Sequence, residues 1–124
     1  MKHLAVEHIN TVTIQKFKKL DPPECERSPE DLMVVFLDVE TTGLSFDSDR
    51  VIQLCVRPAL INKITFEVSA LAKSKTYYND PGFPLTEEIQ KLTNITDSDL
   101  KGESIDWDWV HSTIERADFV VCHN

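Results

Sequence analysis

The sequence predicts an α/β domain with a mixed sheet: three antiparallel strands first, then helices, then a strand parallel to the first. Three observations lead there. Residues 33–37 (Met-Val-Val-Phe-Leu) and 51–56 are apolar on both faces of a period-2 pattern, as in strands covered on each side. Residues 64–70 follow closely after Asn62-Lys63 with strict alternation, which favours an antiparallel partner with one wet face. After Asp80-Pro81-Gly82 the period becomes helical, and a last apolar run, residues 119–122, closes the pattern.

Before the first strand the chain reads differently. Residues 1–20 carry four lysines against Glu7, a net +3, leaving −11 on the rest. The β-branched run at 11–14 suits a strand, whereas Ile9, Val12, Thr13 and Phe17 suit a helical face, so residues 1–20 are read only as an N-terminal appendage. Asp21-Pro22-Pro23 and Ser28-Pro29 make residues 21–31 a linker, because each proline lacks a donor and restricts its predecessor. The domain proper is then residues 32–124.

Within it, Pro58 is expected to mark a bulge or the end of the second strand. Thr86 can cap a short helix with Glu87 and Glu88 in its first turn, favourable against the helix dipole, and Asn94 can stop it. Thr96-Asp97-Ser98-Asp99 has the form of a capping box, and Ser104 can cap a further helix whose Ile105, Trp109, Val110 and Ile114 share a face. Residues 119–122 read as another buried strand, and a buried strand with no covering helix after it reads as the front part of a larger α/β domain.

Composition bounds the function. With 124 residues, 41% hydrophobic and 27% charged, the chain is sized for one globular domain that needs no disulfide or metal staple. A net charge of −8 is the wrong sign for holding nucleic acid by bulk positive charge, so any polyanion must be met locally. Cys25, Cys55 and Cys122 are odd in number and widely spaced, which excludes zinc-ribbon spacing and fits a reducing compartment. No apolar stretch is long enough to span a membrane and the first twenty residues lack a signal-peptide core, so the expectation is a cytoplasmic protein without a membrane partner.

The chemistry concentrates in Phe36-Leu37-Asp38-Val39-Glu40-Thr41-Thr42-Gly43-Leu44. Residues two apart on a strand share a face, so Asp38 and Glu40 project together, with α-carbons about 6.6 Å apart from two strand rises. A divalent cation would neutralise the pair. Mg²⁺ and Mn²⁺ take oxygen ligands, and two such ions about 4 Å apart can stabilise the attacking and leaving oxygens of a phosphoryl displacement. Thr41 and Thr42 add hydroxyls and N–H groups, and Gly43 is expected to supply a positive φ for a sharp turn.

This nonapeptide resembles the first motif, Phe-x-Asp-x-Glu-Thr-Thr-Gly-Leu, of the DnaQ-like, DEDD-type 3′-to-5′ exonuclease superfamily. The likeness continues in Arg50-Val51-Ile52-Gln53-Leu54, in Asn79-Asp80-Pro81-Gly82 and in Leu92-Thr93-Asn94-Ile95-Thr96-Asp97, and so covers residues 33–124. It implies a ribonuclease H-like fold and hydrolysis of nucleic-acid phosphodiesters from the 3′ end, releasing nucleoside monophosphates with Mg²⁺ or Mn²⁺. By position it implies that Asp38 and Glu40 are catalytic, metal-binding carboxylates, and that Val39, Thr41, Thr42, Gly43 and Leu44 lie against the terminal nucleotide.

Glu88 and Thr93 fall where the proofreading subunit of bacterial replicative polymerase contacts the nucleotide, although that subunit has a histidine at the second position. Asn94 replaces a common glycine, and Gln53 stands where many relatives carry glutamate. The implied partners are a single-stranded 3′ end, DNA ahead of RNA, and a DNA polymerase. Val120-Val121-Cys122-His123-Asn124 looks like the opening of the second motif. The aspartate of that motif, and the histidine and aspartate of the third, would fall beyond Asn124, so the fold is expected to be incomplete at the C-terminus. The chain alone is then expected to have little or no nuclease activity. The rival readings are a non-catalytic module that binds nucleic acid or a polymerase, and an RNA-trimming enzyme like ribonuclease T.

Several other features read as structure. Asp47-x-Asp49 lacks the glycine and distal glutamate of a calcium loop and reads as a polar turn. His3, Glu7 and His8 have one residue too many for an inverted zinc-protease motif. Trp107 and Trp109 could stack on bases, but Trp109, beside Val110, reads as core.

Overall fold

The computed structural model describes residues 27–122; the expectations for residues 1–26, including Cys25 and the His3, Glu7, His8 group, and for His123 and Asn124 lie outside them. The fold is the expected mixed sheet. Strand β1 (Asp31–Thr41) takes in the last residue of the proline-bearing stretch and pairs antiparallel with β2 (Val51–Asn62), from Asp31 opposite Asn62 to Glu40 opposite Gln53. Strands β3 (Val68–Leu71) and β4 (Lys75–Tyr78) lie end to end along the other edge of β2, both antiparallel to it. Strand β5 (Phe119–Cys122) pairs parallel with β1.

Pro58 does not end β2. It pairs with Val35 inside the strand, and its carbonyl accepts from the Ala72 amide at 2.9 Å. Its nitrogen therefore faces the same neighbour, where it has no proton to give, and that neighbour's ladder lapses between Leu71 and Lys75. The third strand expected over 64–70 instead begins at Val68. The Asn62 side-chain oxygen accepts from the amides of Ile64 and Thr65 at 2.9 and 3.0 Å, drawing these residues into a hairpin turn that Phe66 completes at φ 59°. A short polar side chain competing for local amides has overridden the alternation.

Helix α1 (Glu87–Thr93) is capped by Thr86 and stopped by Asn94 at φ 56°, as expected. Helix α2 (Asp97–Leu100) has the anticipated capping box. Helix α3 (Trp107–Glu115) is capped by Asp106 rather than Ser104, so Ile105 precedes the helix while still joining its core.

The core sits mainly on one face of the sheet. Val35, Leu54 and Val56 pack with Ile105 and Val110, flanked by Met33, Leu37, Trp109 and Ile114. A second cluster joins Ile52 to Leu85, Ile95 and Leu100. Trp109 belongs to the core periphery, 6.0 Å from the Tyr77 ring and with the Lys75 ammonium 3.8 Å above it. The expectation that β1 and the last strand are covered on both faces is corrected for β5 and for β1 from Phe36 onward, while Val34 near the start of β1 is buried. Phe36 is 39% exposed and every residue of β5 is exposed, because the clusters that hold the helices use the 33-35-37 face of β1. No helix among the described residues is long and apolar enough to cross a membrane.

Candidate functional site

The site is built on the far end of β1. Asp38 and Glu40 follow Phe36 on the face opposite the α3 core, since alternate strand residues share a face. Asp38 is exposed and Glu40 is half-buried. Their direct cross-strand partners on β2 are Cys55 and Gln53. Residues directly opposite in an antiparallel pair share a face. One patch of sheet thus presents two carboxylates, a carboxamide and a thiol, the last accepting from the Thr76 hydroxyl at 3.7 Å. Val39 points to the other face, so any contact of Val39 with a ligand on the carboxylate face would be through its backbone.

The loop from residue 42 to 50 leaves β1 directly after this pair and is tied down throughout. Its neck is closed by the Thr42 amide donating to the Arg50 carbonyl at 2.9 Å, and its tip by the Asp49 amide donating to Ser45 at 3.0 Å. The Asp49 carboxylate accepts from the Thr42 hydroxyl and from the Ser45 amide, both at 2.8 Å. Thr41 donates its hydroxyl to the Gly43 carbonyl at 2.6 Å.

Gly43 does not have the positive φ expected of it, which among the described glycines belongs to Gly82 and Gly102. What requires a glycine is space: a Cβ there would lie 2.5 Å from one carboxylate oxygen of Asp49. Asp49, expected only as part of a polar turn, is thus the residue that holds the neck of this loop. The spacing Ser45-x-x-x-Asp49 beside a glycine was the available signal, but it has no meaning until the loop is closed.

Leu44 is almost fully exposed at this loop. Glu88 is exposed in the first turn of α1, and Thr93 uses its hydroxyl within the helix, donating to Ile89 at 2.8 Å and accepting from the Ile95 amide at 3.2 Å. Helix α1 reaches the sheet through Ile89, which packs in the cluster of Ile52, the neighbour of Gln53.

The donor set suits a hard divalent cation in kind, since carboxylate oxygens are the ligands Mg²⁺ and Mn²⁺ take. It is partial in number: no group of three or more His, Cys, Asp or Glu residues with metal-ligating geometry occurs among the described residues.

No protein-family model matches the chain. Among characterised proteins, a PolC-type DNA polymerase III of Pediococcus pentosaceus is 40% identical over 68 residues, 55% of this chain and 4% of that protein. The PolC-type enzyme of Lacticaseibacillus paracasei is 37% identical over 83 residues, 64% of this chain and 5% of that protein. The chain thus spans about a twentieth of the length of these relatives. Among solved structures, E. coli exonuclease I in complex with a dT13 oligonucleotide aligns with TM-score 0.57 and 18% identity, over 75% of this chain and 20% of that one. The nuclease domain of 3′hExo, described as a DEDDh family member and bound to rAMP, aligns with TM-score 0.53 and 15% identity, over 77% of this chain and 54% of that one. At these identities the structural likeness establishes the fold.

Proposed function

We propose, from the premise that these residues carry part of the ribonuclease H-like fold of the DnaQ-like, DEDD-type exonucleases, that the protein acts on nucleic-acid phosphodiesters at a 3′ end. The observation that carries the reading is the placement of Asp38 and Glu40 on one open face of β1, directly before a braced loop of hydroxyls and amides. In this reading both carboxylates hold Mg²⁺ or Mn²⁺, and the residues Thr41 to Leu44 seat the terminal nucleotide. The cation, when bound, would offset the negative charge of chain and phosphodiester together and polarise the scissile phosphate. The protein's own part is to fix the two carboxylates by the β1–β2 ladder and to hold the loop still against the nucleotide.

The PolC-type relatives support DNA as the substrate and a replicative polymerase as the wider setting. Glu88 and Thr93 belong to the same proposal as nucleotide contacts; for Thr93 this requires its hydroxyl to be shared with the turn of α1.

The test is metal-linked stability. Anything that binds the folded state alone raises its melting temperature in proportion to the logarithm of ligand concentration over Kd. Millimolar Mn²⁺ is expected to raise the melting temperature of the chain and to leave Asp38→Ala and Glu40→Ala unmoved. An equal rise in all three would place the ion elsewhere and remove the basis of the reading.

A further inference from the structure

We propose that Phe46 is a stacking surface for a nucleobase of the single strand whose 3′ end is held at Asp38 and Glu40, and so selects unpaired over paired ends. The proposal rests on the exonuclease reading and adds a specificity residue to it. Phe46 is fully exposed and Leu44, two residues earlier, is 98% exposed. The backbone that carries them is braced by hydrogen bonds. Phe46 sits inside the Ser45–Asp49 turn, whose ends are joined by a backbone bond of 3.0 Å and a carboxylate–amide bond of 2.8 Å. Arg50 adds a guanidinium bond to the Asp49 carbonyl at 2.9 Å, and Gly43 leaves room for the Asp49 carboxylate that locks the neck. A ring carried on a braced backbone has only its own side-chain rotations to lose when it meets a partner.

Charge points to the same partner. A chain of net charge −8 repels a polyanion at long range, so a contact that needs no charge adds affinity without meeting that repulsion. Base–aromatic stacking supplies this without regard to sequence, because every base has a π face. In a duplex every base inward of the terminal pair has both faces covered by neighbouring pairs, so only an unpaired strand offers an internal base for stacking. The aromatic reading first attached to the tryptophans does not extend to Trp109, which packs at the core.

The experiment is an anisotropy titration of labelled ten-nucleotide deoxy and ribo oligonucleotides, phosphorothioate-protected at the 3′ end, in Mn²⁺. Phe46→Ala is expected to bind single strands about tenfold more weakly than the parent, and Phe46→Trp to restore binding. The ratio between parent and Phe46→Ala should hold between about 50 and about 200 mM salt, because stacking releases no counterions. A blunt duplex should show no such ratio. Phe66→Ala provides the control, an exposed phenylalanine at the opposite end of β2, and should bind as the parent does. Loss with one sugar only would support the proposal and identify that nucleic acid as the substrate. Equal binding by parent and Phe46→Ala would overturn the stacking role and leave the exonuclease reading intact. Absence of single-strand binding by the parent in Mn²⁺ would overturn both.

Discussion

Glu40 and Gln53 stand directly opposite each other in the antiparallel ladder of β1 and β2, on the face that also carries Asp38. A neutral carboxamide there spares Glu40 a like charge at the closest cross-strand distance. Gln53→Glu is therefore expected to cost about 0.5 kcal/mol in metal-free buffer, the scale of a like-charge pair on a sheet face. If Asp38 and Glu40 hold the ion as proposed, the sign should reverse with millimolar Mn²⁺, because a third carboxylate would add a ligand beside them. Melting temperatures with and without Mn²⁺ read both effects. An identical loss under both conditions would mean that no ion is held within reach of position 53.

Asp118 fastens β5 to β1. One of its oxygens accepts from the Met33 amide at 2.7 Å and pairs with the Arg27 guanidinium, while its own amide donates to the Met33 carbonyl at 2.8 Å. Asp118→Asn keeps an acceptor for Met33 and loses only a half-exposed ion pair, so its cost should stay within about 0.5 kcal/mol. Asp118→Ala removes the acceptor as well and should cost about 1 kcal/mol. Urea midpoints order the two variants, and faster amide exchange at Met33 should appear in the alanine variant alone.

What the sequence made legible was local. The strand of the nonapeptide's first half, the Thr86 cap, the Asn94 stop and the capping box at 96–99 each depend on residues within a few positions, and each is found in place. The partners of the first three strands and the parallel last strand were legible too, because hydrophobic period and spacing constrain pairing. What escaped depends on closure. Gly43 is needed because Asp49 folds back on it, Ile64 is turned outward by Asn62, and β4 is a polar strand visible only once Pro58 breaks its continuity with β3. The exposure of Phe119 and Val121 could not be read from their own apolar run, since a strand's sequence does not contain what covers it.

Phe66 holds a left-handed backbone at φ 59° with its side chain 81% exposed, so the residue carries conformational strain with little packing in return. Phe66→Gly should relieve that strain and raise stability by up to about 1 kcal/mol, less the added freedom of the unfolded chain. Phe66→Val should move the other way, because a β-branched residue fits this region worse. Opposite displacements of the urea midpoint with unchanged slope are the expected pattern; a loss in both would show that the phenylalanine ring, not the turn, matters there.

Asp80 ties the turn after β4 to the bend after α2. Its carboxylate accepts from the Gly102 amide at 3.0 Å and the Gly82 amide at 2.8 Å, and these two donors, with a smaller contribution from nearby Lys101, hold its pKa below the ordinary aspartate value. The folded value is the depressed one, so the tie is fully present above the ordinary aspartate range and is lost as the pH falls through the lowered folded value. Asp99, held low first by the Thr96 hydroxyl and then by the Thr96 amide, should behave alike within its capping box. An NMR titration should give Asp80 a midpoint below that of an unstructured aspartate, with the amide signals of Gly82 and Gly102 moving at the same midpoint. Asp80→Asn should abolish the shared transition while leaving that of Thr96 and Asp99 in place. If Gly82 and Gly102 titrated at different midpoints, no single carboxylate could be bridging them.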